Sequence, residues 1–163
     1  MDVTIIKGTS DDRISIIRND GSCADTSFPK KGPFPHDAVH FAVEKHLGLA
    51  RGFWGMVAAG QHPEELADIA KMAGHASAKR AQVPEPQIVE LLQAERIVEC
   101  FEADMWGGGA EDGMLLETIE VACGYSHVPP PPMGSSHIAA IRDELTQLGS
   151  QWANGRIEFH WAA

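Results

Sequence analysis

Strand grammar at both ends of the chain, with helical periodicity between them, limits the folds open to this sequence more than any other feature. The closing residues "RIEFHW" alternate Ile157, Phe159 and Trp161 with Arg156, Glu158 and His160, the period-two pattern of a strand with one buried face. A lone strand needs a partner. The opening stretch supplies one: β-branched "VTIIK" and "RISIIR" are followed by Asn19-Asp20-Gly21, residues that accept the positive φ of a tight hairpin, and then by "SCADTSF". Residues 1–28 are expected to form a hairpin or meander of two or three antiparallel strands, with the strand at 156–161 joining the same sheet.

Residues 34–154 read as helical. The connector "PKKGPFP" delivers the chain to a helix from Pro35 to Leu47, with Pro35 at the first helical position. His62-Pro63-Glu64-Glu65 opens a second helix that runs to about Lys79. The most regular helix spans Glu85 to about Trp106, where Ile88, Leu91, Leu92, Glu95, Val98, Phe101, Glu102 and Met105 recur at three and four and Gly107-Gly108-Gly109 stops the pattern. Glu111 to Cys123 reads as a further helix. After the polyproline connector Pro129–Pro132, Ser135 or Ser136 caps a last one, with Ile138, Ile141, Leu145, Leu148 and Trp152 as its apolar stripe. The expected architecture is an α+β fold, one domain over residues 1–163, in which a small, mostly antiparallel sheet made from both chain ends is covered by about five helices. At 163 residues and 44% hydrophobic content, the chain can build one substantial core.

Charge narrows the partners. The net charge is −10 and the 13 basic residues are scattered, so the chain lacks the phosphate-neutralising patch on which nucleic-acid affinity depends. An anionic membrane surface is disfavoured on the same ground, and no window holds the roughly 18 apolar residues of a membrane helix. Cys23, Cys100 and Cys123 have unrelated spacings and no Cys-x-x-Cys pair, which points to free, buried thiols in a reducing cytoplasm. A small molecule, a cation, a protein partner or a second copy of the chain remain as candidate ligands.

Chemistry concentrates in "PFPHDAVHFAVE". On a helix, His36 and His40 lie one turn apart, about 6 Å along the axis, and so can offer two imidazoles to one divalent ion such as zinc. Asp37 and Glu44 border the same edge. The five residues His36 to His40 resemble the His-Glu-x-x-His helix of zinc metallopeptidases, and that resemblance implies His36 and His40 as metal ligands and Asp37 as the catalytic base of a hydrolytic reaction. Asp37 stands where that family has glutamate and is one methylene shorter. Glu44 is about 12 Å along the axis from His36, which nearly excludes it as a co-ligand and leaves it the part of base or orienting group. A third donor must come from another element, and His127, His137, Glu158 and His160 are the candidates. The simpler alternative is that Asp37 complements the helix dipole and pairs with His40, in a non-catalytic structural or protein-interaction domain without metal.

Other motifs are weaker. Glu95, Glu99 and Glu102 read as a solvated acidic face, because carboxylate-bridged metal bundles use Glu-x-x-His and this chain has none. Ser77 in "GHASA" is late in a helix and makes no nucleophile elbow, His62 and His75 are too far apart to share a ligand, and Phe53 and Trp54 in "RGFWGM" are expected in the core.

Overall fold

A computed structural model describes residues 1–80 and 83–162, and for residues 75–80 it describes the backbone alone. Strands β1 (Asp2–Ile6), β2 (Asp11–Ile17), β3 (Cys23–Pro29) and β4 (Arg156–His160) form one sheet in the order β3-β2-β1-β4, with every pairing antiparallel. The two chain ends meet where β1 pairs with β4. Register aligns Ile16, Val3 and Phe159 in one row and Ile14, Ile5 and Ile157 in the next, so the inward residues of three strands form a continuous apolar face. Gly21 makes the β2–β3 turn at φ 83°, donating its N–H to the Arg18 carbonyl.

Among the described residues six α-helices follow: α1 (His36–Leu47), α2 (Phe53–Ala58), α3 (Pro63–Arg80), α4 (Val89–Gly107), α5 (Asp112–Tyr125) and α6 (Ser135–Trp152). Pro35 is the N-cap of α1 rather than its first residue, and a single 3₁₀ turn, Pro86–Ile88, precedes α4. Neither serine caps α6. Gly134 does, with its N–H donated to His137 Nδ1. The helix α2 has no counterpart in the sequence reading, since a segment this short carries no measurable period; its Phe53 and Trp54 are buried as expected. Ser77 and the His75 side chain lie outside the described side chains. Cys100 and Cys123 are buried, whereas Cys23 is exposed because it opens β3, the edge strand of the sheet. No described helix is long and apolar enough to cross a membrane.

The helix α1 lies in the middle of this arrangement. It packs on α4, α6 and α2, and Phe41 stacks on Phe159 of the sheet at 4.0 Å between ring centroids. A helix covered on several sides buries its polar residues along with its apolar ones: His40 and Glu44 are as buried as Val39, Ala42 and Val43. Burying each large apolar side chain here contributes about 1.5–3 kcal/mol, while each buried charge must find a partner. Those partners make the site.

Candidate metal centre

His36 and His40 project from successive turns of α1, with 4.8 Å between ring centroids. Each commits one nitrogen to a carboxylate behind it. His36 Nδ1 is 2.9 Å from Glu102 Oε1, and His40 Nδ1 is 2.9 Å from Glu44 Oε1. With Nδ1–H donated in both rings, the Nε2 atoms are turned to a common point, and there they meet Glu95 of α4: His36 Nε2 is 3.7 Å from Oε2 and His40 Nε2 is 3.5 Å from Oε1. One ligand atom from each of the three residues lies within 4.8 Å of the others. Tetrahedral zinc with bonds of about 2.0–2.1 Å spaces its donors roughly 3.4 Å apart, so the carboxylate is already at working separation from both rings.

The surroundings are dry. Side-chain exposure is 10% for His36, 2% for His40 and 17% for Glu95. His36 Nε2 is buried with no hydrogen-bond partner, a deficit that costs about 1–3 kcal/mol in an ordinary core. Burial opposes charge on His36, and the carboxylates of Glu102 and Glu95 outweigh it and raise its pKa; His40 is the stronger case. Burial opposes its charge, but the Glu95 carboxylate and the hydrogen bond to Glu44 outweigh burial and raise its pKa from 6.5 to about 10. Glu95 is held far below the ordinary carboxylate range: burial works against its charge and is overcome by His40 and His36. Without a metal, a proton therefore occupies the point between His40 and Glu95, and a divalent ion would have to displace it.

Glu44 serves both α1 and α2. Its side chain is fully buried, and besides His40 it accepts the backbone N–H groups of Phe53 and Trp54 at 2.9 Å each, capping the first turn of α2. Burial pushes its carboxyl up, and His40 with the two N–H groups acts against that. The approach demands Gly52: a Cβ there would meet Glu44 Cδ at 2.5 Å. Glu44 thus stands behind His40 and not beside the shared point.

Asp37 is half-buried, and burial raises its carboxyl above the ordinary value against the pull of His36, His40 and Lys31. It makes no ion pair with His40, so the helix-pairing alternative is corrected; the i,i+4 partner Glu44 occupies that imidazole instead. Asp37, His36, His40 and Glu95 line a cavity of about 190 Å³ whose walls also include Phe34 and Phe53.

None of the four candidate third donors reaches this point. Exposed His127 sits at a tight turn with φ 54°, His137 accepts from Gly134, Glu158 pairs with Arg156, and His160 pairs with Asp2. The donor that faces the two imidazoles is Glu95, and the reading of Glu95, Glu99 and Glu102 as a solvated face needs correction. Only Glu99, 49% exposed and paired with Arg96, fits it. Glu102 lies seven residues from Glu95 and returns to within about 20° of it, whereas Glu99 is rotated further round toward Arg96. The missed signal was present: Glu95 and Glu102 fall within the apolar stripe of α4, among Leu91, Leu92, Val98 and Phe101, where a solvated carboxylate has no place.

Two imidazoles and a carboxylate, each imidazole backed by a further carboxylate and all opening on a small cavity, make a donor set that zinc takes when one coordination position is left for water or substrate. No family model matches this chain, and neither a curated protein nor a solved structure matches it either.

Proposed function

We propose that this protein binds one divalent metal ion, zinc or an ion of similar preference, through Nε2 of His36, Nε2 of His40 and the Glu95 carboxylate, and uses it hydrolytically. The observation that carries the reading is His36 Nε2, which is buried, lacks a hydrogen bond, and is directed with His40 Nε2 at the same carboxylate. Buried nitrogens are ordinarily hydrogen-bonded. A metal in this donor set supplies a water of lowered pKa at neutral pH. Asp37, in the same cavity with its carboxyl raised, is the base that would take the proton of that water. Glu44 and Glu102 each take Nδ1–H, so that Nε2 of each ring is the atom a metal would take once it displaces the proton.

The test is elemental analysis of protein purified without added metal, with zinc titration of the chelator-treated form. Near-stoichiometric binding is expected, abolished by His36→Ala, His40→Ala and Glu95→Gln while the far-UV circular dichroism is retained. Folded wild type that neither carries nor takes up a divalent ion sinks the proposal.

A second reading, a metal-free protein-interaction domain, draws on α5, where Met114, Val121 and Tyr125 share one exposed face. Light scattering separates the two: a monodisperse monomer that binds zinc favours the first.

A further inference from the structure

The shape of the space beside the candidate metal point carries information about what it would accept. The lining of the cavity of about 190 Å³ joins His36, Asp37, His40 and Glu95 to Phe28, Phe34, Phe53 and two prolines, with the charged Asp12, Lys30 and Lys31 also bordering it, and most of its surface is apolar. Phe34 and Phe53 are buried in the core, Phe53 packs edge-on to Phe28 at 6.5 Å, and its ring lies 5.6 Å from that of His40. These walls are fixed by packing and do not need a ligand to form. Size sets a further bound. An apolar cavity of about 150 Å³ accommodates a benzene ring, whereas pockets for drug-sized molecules begin near 300 Å³. The chamber therefore holds one ring and a head of a few atoms.

Its exit is chemically different. Glu95, Ala67 and Phe28 also border a wider groove of about 760 Å³ whose lining includes Glu64, Asp68, Lys71 and Arg96. Glu95 thus stands at the junction between a small apolar chamber and a larger charged groove, and any group bound at the metal point sits on that junction.

We infer that the site takes a small ligand whose metal-facing oxygen is carried on a single ring-sized apolar group, the ring seated among Phe28, Phe34 and Phe53 and the polar remainder lying in the charged groove past Glu95. This rests on the metal reading and adds the ligand class to it. Aliphatic heads of one or two carbons leave the aromatic walls uncovered, and bicyclic groups exceed the chamber.

The test uses zinc-loaded protein and two probes with the same metal-binding head, benzohydroxamate and acetohydroxamate, titrated by calorimetry with zinc content measured in parallel. Benzohydroxamate is expected to bind at least about tenfold more tightly, because only it buries a ring. Ala67→Leu, at a position of α3 that lines the chamber and is not one of the three donors, should remove that preference with zinc content unchanged. Phe28→Ala, at the half-buried rim, should weaken it. If zinc is bound but the two hydroxamates bind alike, or if Ala67→Leu leaves the preference intact, the ligand class is overturned and the metal site stands. If zinc is not bound, both fall.

Discussion

Two polar clusters sit along α4, and they are built on opposite plans. Toward its C-terminal end, Asp104 accepts Nε and Nη2 of Arg142 at 2.9 Å each and the Ala110 N–H at 2.6 Å, while Arg142 also binds Asp112 at 2.9 Å and the Ala110 carbonyl at 2.8 Å. Both carboxylate oxygens of Asp104 are engaged by the bidentate fork of Arg142. Toward the N-terminal half, Glu95 faces His36 and His40 at 3.7 and 3.5 Å, close enough for Coulombic attraction yet beyond a good hydrogen bond, and His36 Nε2 has no partner. One cluster is closed on itself and ties α4 to α6. The other leaves a buried imidazole nitrogen without a hydrogen bond. Polar burial alone does not distinguish a structural lock from a site; the state of satisfaction of the converging atoms does.

That comparison is tested most severely by Glu44, which belongs to the open cluster but is itself saturated. Glu44→Ala removes three hydrogen bonds from a fully buried carboxylate and leaves His40 Nδ1 and two backbone N–H groups without acceptors, so a loss of about 3–5 kcal/mol in denaturant-derived stability is expected. An effect below 1 kcal/mol would show that the cap of α2 is dispensable. Asp104→Ala should cost about 2–3 kcal/mol and leave zinc uptake as in wild type, since the closed cluster has only a structural part. Loss of metal in that variant would erase the distinction between the two regions.

Glu102→Gln should do the converse, weakening zinc binding about 10- to 100-fold through His36 orientation while the denaturation midpoint moves little. Isothermal titration of the two variants side by side gives the contrast directly. The clusters also titrate differently. In chelator-treated protein the raised pKa of His40 contributes stability that is full below pH 6.5 and drains away as pH rises through about 10. Glu95, held below its ordinary 4.5, contributes stability present above that pH and lost as acid is added. Metal-free protein should thus melt at a falling temperature from pH 6.5 toward 10, and His40→Gln should flatten that limb; a wild-type profile already flat there would break the account. The smallest effect belongs to the exposed sheet edge, where His160→Ala should change neither melting temperature nor metal content, because its pair with Asp2 is open to solvent.

Much of the fold was legible from residue pattern. The alternation at both ends predicted a sheet shared by the two termini, and periodicities of three and four located five of the six helices. The exception, α2, spans only Phe53–Ala58 and exists because the Glu44 carboxylate caps its first turn from another helix, a cause invisible to local pattern. The site was legible by halves. His36 and His40 share a face by helix geometry alone, and Glu44 could be set aside as their co-ligand by the rise per residue. Glu95 reads from local pattern as part of a solvated acidic face, because one helix's sequence does not say which helix packs against it.

Residue pattern alone accounts for the sheet, five of the six helices, the pairing of the two imidazoles and the apolar stripe in which Glu95 and Glu102 are embedded, because these follow from the 3.6-residue and two-residue periods of the backbone. Which carboxylate meets which nitrogen is a matter of packing between helices. His36 faces Glu102 and His40 faces Glu95, so α1 and α4 run in opposite senses along their contact. That register is set by how large apolar side chains interdigitate between the helices, a property of the packed pair that neither helix specifies alone.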